Sequence, residues 1–324
     1  MNECRVCNNG ADNQKHVVLE MYFGTRETFE YFECSNCNCL QLAEFPHDMS
    51  VYYPDGYYSF AGIDETSLAR KLKSFVSRKR NGYALFRNGI LGRLFYTIRQ
   101  PTMSFELLRL FKTLKNESVL DVGCGGGEFA YYLTELGINT VGIDPFVRQV
   151  RVYKNGLKIL KRTLVEFKRE TELQFDLIMF NHSFEHMPDP EEVLKVASGL
   201  LRDTGTIMIR IPTVSSYAWK HYRTNWVQLD APRHLFLHSV ESIGILANNA
   251  GFRVSDIVYD SDELQFCGSE QYLQNIPLTS SQSYRTSLKA SPFSKKDIAS
   301  YKKQAVALNR QNLGDMAAFY LRRS

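Results

Sequence analysis

Short apolar runs alternate with longer amphipathic stretches over residues 104–262 of this 324-residue chain. The apolar runs predict strands because polar or glycine positions bound them; they cover 118–122, 140–143, 158–160, 175–180, 206–211 and 252–259. The amphipathic stretches predict helices over 104–114, 128–136, 147–153, 190–201, 239–250 and, further on, 295–313. Alternating strands and helices predict a mostly parallel sheet covered on both faces, a doubly wound α/β fold.

Two cysteine pairs near the N-terminus share one spacing, Cys4-x-x-Cys7 and Cys34-x-x-Cys37. Four thiolates on two tight turns can complete a tetrahedral Zn²⁺ shell, and so short a segment has little core without a metal. Predicted strands at 16–20 and 28–32 lead into the second pair. We therefore predict structural zinc on these four ligands, with Cys39 as the alternative to Cys37. Free reduced cysteines would not account for the spacing.

Residues 68–99 carry nine Lys and Arg residues and no Asp or Glu, interleaved with Phe, Leu and Ile. Such a segment is typical of a basic amphipathic helix that faces phosphates or anionic lipid. It fits equally a connector whose apolar side packs on the main domain while its charges face water. The sequence leaves both interpretations open.

Composition limits the remaining possibilities. The formal net charge of +4 is too small to indicate nucleic-acid binding by itself. There is no secretory signal pattern and no apolar run of about 18 residues, so we expect a cytoplasmic protein, soluble or peripheral to the inner face of a membrane. Four parts are predicted: a zinc-binding module (1–50), an aromatic hinge with a basic helical connector (51–103), the α/β domain (104–262), and a C-terminal loop and helix on the substrate side (263–324).

A glycine-rich turn follows the first strand of the α/β domain, in the order Asp121-Val-Gly-Cys-Gly-Gly-Gly127. Glycines let the backbone turn sharply and approach a ligand, and ligands of parallel sheets collect at the carboxyl ends of strands. Asp144 follows the next strand, about 20 residues further along the sequence, which is the separation expected for a carboxylate that accepts ribose hydroxyls. Together these residues predict a cofactor site, whereas Gly-x-Gly alone is a weak signal.

These motifs resemble the class I S-adenosylmethionine-dependent methyltransferases, whose first motif has the form Asp-x-Gly-Cys-Gly-x-Gly. Residues 175–190 resemble the fourth strand of that family and its Leu-Glu-His-x-x-Asp-Pro segment, with Phe184 in place of leucine. Residues 229–239 resemble the Pro-Arg-His-Leu segment of a subgroup that acts in sugar and surface-polysaccharide pathways and often carries a four-cysteine module. The resemblance implies a Rossmann-like fold, S-adenosylmethionine as cofactor, and methyl transfer.

The resemblance also assigns residues to the cofactor. Asp121, Gly123 and Gly125 should surround its methionine part, and Asp144 its ribose. Thr163 and Leu164 should lie near the adenine, although both also suit an ordinary loop and core. Asn181, with His182 beside it, should line the cleft where donor and acceptor meet.

Three histidines fall on segments expected near that cleft: His182, His186 and His234. A sugar hydroxyl is a poor nucleophile at neutral pH, so a histidine is useful as a general base. In related sugar C-methyltransferases the histidine aligned with His234 takes the proton. His186 equally suits a residue held by Asp189 or backbone, and His182 one that orients the cofactor.

The predicted acceptor is a nucleotide sugar or lipid-linked glycan. Arg233 precedes His234 where the C-methyltransferases carry an acidic residue, which disfavours C-methylation and predicts a phosphate-bearing acceptor. A basic aromatic stretch, 217–226, suits sugar stacking or a lid over the cofactor. The alternatives are a sugar C-methyltransferase and a zinc-containing RNA-binding protein with this fold; nucleic acid is disfavoured because Asn181-His-Ser-Phe184 lacks the base-methylating signature. A silent scaffold is disfavoured by the intact cofactor motif, and the oligomeric state is left open.

Overall fold

The computed structural model describes residues 3–53, 63, 68–101, 104–111 and 114–324, and the side chains of 68–73 and of residue 115 are not among the described groups. Most of the predicted aromatic hinge, 54–58, lies outside the described residues. Its first residues belong to a 3₁₀ turn, Met49–Tyr52.

The larger sheet has eight strands within the described residues, in the order β11-β12-β9-β8-β4-β5-β7-β6. Their bounds are β4 Ser118–Val122, β5 Asn139–Ile143, β6 Arg151–Val152, β7 Lys158–Leu160, β8 Phe175–Asn181, β9 Leu201–Pro212, β11 Phe252–Tyr259 and β12 Met316–Arg323. The central pairs β9-β8, β8-β4, β4-β5 and β5-β7 are parallel, while β6 and β12 pair antiparallel with their neighbours. The fold is therefore the predicted Rossmann-like α/β class.

The helices begin and end where local chemistry requires. Their bounds are α1 Leu68–Phe86, α2 Ile90–Ile98, α3 Glu128–Glu135, α4 Leu164–Glu170, α5 Pro190–Ser198, α6 Tyr217–Tyr222, α7 Val240–Asn249, α8 Leu264–Leu273 and α9 Lys295–Arg310. Capping boxes start α4 at Thr163, α7 at Ser239 and α9 at Ser294. No helix in the described part of the chain is long and apolar enough to cross a membrane.

The order in which strands are added to the sheet reverses at β4, and this reversal creates the cleft. From β4 the chain adds β5 and β7 on one side, and it later adds β8 and β9 on the other. The connections that leave the carboxyl ends of β4 and β8 therefore diverge, which leaves a crevice at that edge of the sheet. The glycine-rich turn and the segment after Asn181 both lie there.

The structure corrects four predicted elements. Residues 147–153 are not a helix: β6 pairs with β7 there, and the Tyr153 hydroxyl donates a hydrogen bond to the Gly126 carbonyl. The predicted helix 104–114 is a 3₁₀ turn, Phe105–Leu110. The helix predicted to reach 201 ends at Ser198, because Leu201 already pairs in β9.

The fourth correction concerns β12, which the sequence pattern did not predict. Six of its eight residues are buried in succession, so it lacks the alternation by which half-buried strands are recognised. It lies between β9 and β11. The sheet thus includes strands on both sides of the predicted boundary at 262.

A second sheet joins the cysteine-rich segment to the rest of the molecule. It has the order β1-β2-β3-β10, where β1 is Gln14–Leu19, β2 Thr28–Glu33, β3 Leu40–Leu42 and β10 Phe236–Leu237. The last strand comes from the segment after His234 and pairs antiparallel with β3. The Tyr31 hydroxyl also donates to the His234 carbonyl at 2.7 Å. The N-terminal module is consequently built into the α/β domain.

A buried ion cluster holds the same junction together. The Arg233 guanidinium, which is fully buried, donates to Glu20 Oε1 at 3.0 Å and to Asp230 at 2.6 and 3.0 Å. It lies over the rings of Tyr22 and Phe23, 4.7 and 5.2 Å from their centroids. Arg233 is the cation that pairs with both carboxylates. Removing it would leave two largely buried negative charges without a counter-charge, although Glu20 would keep its hydrogen bonds from the backbone N–H groups of residues 23–25.

Arg233→Met should lower the free energy of unfolding by about 3–5 kcal/mol, because it retains much of the side-chain volume but leaves Glu20 and Asp230 without a cation. Urea unfolding measures the loss. The matched control is Arg253→Met on the exposed side of β11, which should change stability by less than about 0.5 kcal/mol. Equal effects of the two substitutions would contradict a stabilising ion cluster.

Candidate active site

One cavity of about 1160 Å³ opens at the carboxyl edge of the large sheet. All ten residues predicted to bind cofactor or to act in catalysis line it. They are Asp121, Gly123, Gly125, Asp144, Thr163, Leu164, Asn181, His182, His186 and His234. They come together because the ends of β4, β5 and β8, and the segment before β10, meet at this edge.

The turn after β4 depends on its glycines. Gly123, Gly125 and Gly127 have φ values of 71°, 55° and 78°, in the left-handed region that favours glycine. A Cβ on Gly123 would lie 2.5 Å from Ser183 Cβ, and Ser183 is held in place by its hydrogen bond to the Val122 carbonyl. A side chain at Gly123 would therefore push apart the two loops that form the cleft.

Two carboxylates stand at the base of this turn. Asp144 accepts hydrogen bonds from Gly125 N at 2.9 Å and Phe146 N at 2.8 Å, so the glycine turn and the end of β5 are fixed to each other. Burial raises the pKa of Asp121 to about 7, with a further contribution from Asp144, whose own pKa burial also raises. A cationic ligand beside Asp121 would stabilise its ionised form, as the charged groups of S-adenosylmethionine would.

The remaining predicted cofactor residues line other parts of the wall. Thr163 caps α4 through a hydrogen bond with Glu166, and Leu164 beside it is almost fully buried. Asn181, at the end of β8, accepts a hydrogen bond from Arg210 at 3.3 Å. Their places at the ends of successive strands agree with a ligand that extends along the edge of the sheet.

Backbone carbonyls determine which nitrogen of two histidines is protonated. His234 Nδ1 donates to the Gln228 carbonyl, and His186 Nδ1 to the Arg233 carbonyl, each at 2.7 Å. Since a carbonyl can only accept, each neutral ring keeps its lone pair on Nε2. Burial, with His186 nearby, lowers the pKa of His234 to about 4, so that ring is neutral at pH 7.

Glu185 lies between the histidines and was not among the predicted site residues. It is fully buried, and neither of its oxygens has a hydrogen-bond partner within the described residues. Its Oε1 is 3.7 Å from His182 Nδ1 and 3.9 Å from His234 Nε2. Burial alone would raise the pKa of Glu185, but the proximity of His182, His186 and His234 lowers it to about 2. The carboxylate therefore favours a positive charge on these rings.

The same cluster has the donors of a cation site. Ligand atoms of Glu185, His186 and His234 lie within 4.8 Å of one another. One carboxylate and two imidazoles can bind a divalent metal, and they can also share a proton. The geometry of these three side chains suits both.

Acidic residues dominate the half of the cavity beyond β9. Asp260, Asp262, Glu263 and Asp315 line it, and burial raises the pKa of Asp315 to about 7. The cavity is also lined by three arginines: Arg162, Arg210 and Arg285. Arg210 is already paired with Asp260 at 2.8 Å, and Arg162 with Glu170 at 2.7 Å. The four acidic residues come from the loop after β11 and from the position just before β12. The sequence analysis placed 263–324 on the substrate side but did not single out these carboxylates.

Two predictions about the acceptor side are not supported by the packing. Arg233 was expected to bind a phosphate. Its guanidinium is instead buried and paired with Glu20 and Asp230, so it is not available to a ligand. Trp219, Tyr222 and Trp226 were expected to stack on sugars or cover the cofactor, and all three are buried in the core.

The four predicted zinc ligands form a compact cluster. Two of them precede β1 and the other two lie in the loop between β2 and β3. Their sulfur atoms lie within 4.8 Å of one another, with Cys4–Cys37 at 3.6 Å and Cys7–Cys34 at 3.5 Å. Tetrahedral zinc with Zn–S bonds of about 2.3 Å separates its sulfurs by about 3.8 Å, close to these values. Cys39 instead contacts His238.

Known proteins resemble this chain mainly in its central part. Residues 95–257, half of the chain, match a family model described as a methyltransferase domain. The ubiquinone biosynthesis O-methyltransferase of Pelagibacter ubique (strain HTCC1062) is 31% identical over 134 residues, 39% of this chain and 56% of that protein. The protein of the same name from Stutzerimonas stutzeri (strain A1501) is 29% identical over 161 residues, 45% of this chain and 68% of that protein. The chain thus spans about half to two thirds of the length of these relatives.

Among solved structures, an S-adenosylmethionine-dependent methyltransferase from Archaeoglobus fulgidus is 20% identical, with a TM-score of 0.42, over 74% of this chain and 97% of that one. The family model covers the glycine-rich turn, Asp144 and all three histidines. The chain therefore belongs to the methyltransferase domain family.

Proposed function

We propose that this enzyme methylates a hydroxyl oxygen of an acceptor that carries no phosphate, with His234 as the general base. The lone pair of His234 Nε2 in the wall of the acid-lined cavity is the observation that carries the proposal. When bound, S-adenosylmethionine supplies an electrophilic methyl group; the protein has to align the acceptor and remove its proton.

His234 is favoured because its ring is held in one tautomer beside two carboxylates, which partly offset the burial that lowers its pKa. Its Nδ1–H is fixed by Gln228, and its Nε2 lies 3.9 Å from both Glu185 and Asp230. The imidazolium that forms when Nε2 takes a proton would be stabilised by these carboxylates, as in other histidine–carboxylate pairs. His182 differs because its Nε2 already contacts the Arg210 guanidinium.

The acid-rich wall narrows the class of acceptor. Carboxyl groups accept hydrogen bonds from hydroxyl groups, so Asp260, Asp262 and Asp315 suit an uncharged, hydroxyl-bearing molecule better than a phosphate. Two relatives are named ubiquinone biosynthesis O-methyltransferases, which agrees with an oxygen acceptor. An unphosphorylated sugar remains a member of this class, but the relatives' names do not favour it.

The cofactor-binding roles belong to the same proposal. Asp121 would face the charged methionine part of S-adenosylmethionine, with Gly123 and Gly125 allowing close approach of the backbone. Asp144 would accept the ribose hydroxyls, and Thr163, Leu164 and Asn181 would border the rest. The raised pKa of Asp121 makes the first of these roles testable through its dependence on pH.

We also propose a structural zinc ion on Cys4, Cys7, Cys34 and Cys37. Sulfur spacing close to that of tetrahedral Zn–S₄ supports it, and no ligand position is left open for catalysis. The Ser239 hydroxyl donates to the Cys37 carbonyl, so the zinc knuckle would also fix the segment that starts α7.

The affinity for S-adenosylmethionine should depend on Asp121 more strongly as the pH rises. In the free protein Asp121 is mostly protonated at pH 6 and mostly ionised at pH 8, and only the ionised form attracts the cationic cofactor. The ratio of wild-type to Asp121→Asn affinity should therefore rise about tenfold between pH 6 and 8. Calorimetry at both pH values measures it. A ratio that stays constant would show that Asp121 does not face the charged groups.

His234→Ala should lower kcat by about 10²–10⁴-fold, because the acceptor proton loses its base. The affinity for S-adenosylmethionine should stay nearly unchanged. His182→Ala and His186→Ala are the matched variants. A larger loss of kcat in either variant would indicate that the substituted histidine, and not His234, is the general base.

The acceptor for this assay comes from a mass-spectrometric screen of phenols, neutral sugars and sugar phosphates. Methylation confined to the sugar phosphates would contradict the proposed class. Activity that EDTA abolishes and Mg²⁺ or Mn²⁺ restores would instead assign Glu185, His186 and His234 to a catalytic metal.

Purified reduced protein should contain about one zinc per chain by inductively coupled plasma mass spectrometry. Cys4→Ser should lose that zinc and lower the unfolding midpoint by about 5–10 °C, because the knuckles have little other core. The control is Cys267→Ser, a buried cysteine outside the cluster, which should keep its zinc. Equal zinc contents in the two variants would disprove the assignment.

A further inference from the structure

Helix α2 presents its apolar face to solvent. Ile90, Leu94 and Ile98 follow one another at four-residue intervals and therefore share one side of the helix. Their exposed fractions are 89%, 53% and 73%, and neighbouring Leu91 is 51% exposed. Isolated exposed aliphatic residues are common, but four of them on nine residues of one helix form a contiguous patch.

The opposite face of α2 packs on α1 and on the turn that follows α2, so the helix cannot rotate to bury the patch. Gly92 packs so closely on α1 that a Cβ there would lie 2.9 Å from Tyr83 Cβ. The Tyr96 hydroxyl donates to Glu106 at 2.8 Å. These contacts fix which side of α2 faces outward.

Positive charge surrounds the exposed patch. Arg93 and Arg99 lie on α2 or at its end and are exposed, and the Arg87 guanidinium lies 5.0 Å from the centroid of the Tyr96 ring. Arg78 and Lys79 on α1 are exposed as well. No acidic residue occurs anywhere from 68 to 99 to neutralise them.

We propose that α2 is a membrane-docking helix, which places Ile90, Leu91, Leu94 and Ile98 in the interface of an anionic lipid bilayer. Nine residues are too few to span a bilayer, so the helix lies in the plane of the interface. The flanking arginines meet the lipid headgroups, and each basic residue near such a surface contributes about 1 kcal/mol. Anionic lipid is the occupant that matches both the apolar patch and the exposed Arg and Lys residues of α1 and α2 beside it.

The position of α2 gives docking a consequence for the enzyme. Ser104 and Leu107, shortly after α2, line the cavity, and Tyr96 is bonded to the turn that contains Leu107. Docking would hold this side of the cavity close to the membrane, where a lipophilic acceptor could enter. This consequence rests on the proposed function, whereas the membrane binding does not.

Sedimentation with vesicles tests the binding without any methyl transfer. The zinc-loaded full chain should sediment with vesicles of phosphatidylglycerol and phosphatidylcholine, and much less with phosphatidylcholine alone. Leu94→Ser with Ile98→Ser should weaken binding about tenfold or more, because two side chains no longer enter the interface. Val306→Ser with Leu273→Ser, two residues of similar exposure on α9 and α8, should leave it unchanged.

The charges are tested separately. Arg93→Gln with Arg99→Gln should weaken binding about twenty-five-fold, at about fivefold for each charge. The exposed pair Lys161→Gln with Arg169→Gln is the control. Unchanged affinity for S-adenosylmethionine shows that each variant is folded.

Three results would overturn the proposal. The first is negligible binding of the wild-type chain to both kinds of vesicle. The second is a lipid-free dimer that Ile98→Ser dissociates, which would assign the patch to a second copy of the chain. The third is binding of single-stranded RNA that needs the arginines but not Leu94 and Ile98, without binding to vesicles.

Discussion

The Arg233 ion cluster is the contact on which the geometry of the candidate site depends. Its guanidinium holds Glu20 of the N-terminal module, its backbone carbonyl accepts the His186 hydrogen bond, and His234 follows it directly. A buried cation is costly to desolvate, so it stabilises this junction only while both carboxylates remain in place. The N-terminal cysteine module thereby becomes part of the support for two candidate catalytic side chains, although it lies far from them in sequence.

The sequence was most informative where short-range chemistry determines structure. The glycine turn after Asp121 and the carboxylate at Asp144 were predictable because each follows a strand in a pattern that few other functions require. The ends of neighbouring parallel strands must meet at one edge, and all ten predicted residues accordingly line one cavity. Strand β12 could not be predicted in the same way, since its residues are buried on both faces and its partners lie far away along the chain.

Long-range pairing also explains the errors made for single side chains. Arg233 beside His234 suggested an anion site, and nothing local indicated that Glu20 would reach it. Trp219 and Trp226 were expected to contact a sugar, but the fold buries both side chains. Glu185 was overlooked although His182 and His186 lie beside it in the sequence, because only the fold brings His234 near its carboxylate.

Strand β12 has a further consequence, for the order in which the protein can form during synthesis. It is inserted between β9 and β11, which are both made before it. While the ribosome is still adding α8 and α9, one edge of β9 has no partner and exposes a row of backbone donors and acceptors to other chains. The sheet can close only after residues 316–323 have left the exit tunnel. Nascent chains stalled before that point should therefore need chaperones, even though the glycine turn and the cysteine cluster have already emerged.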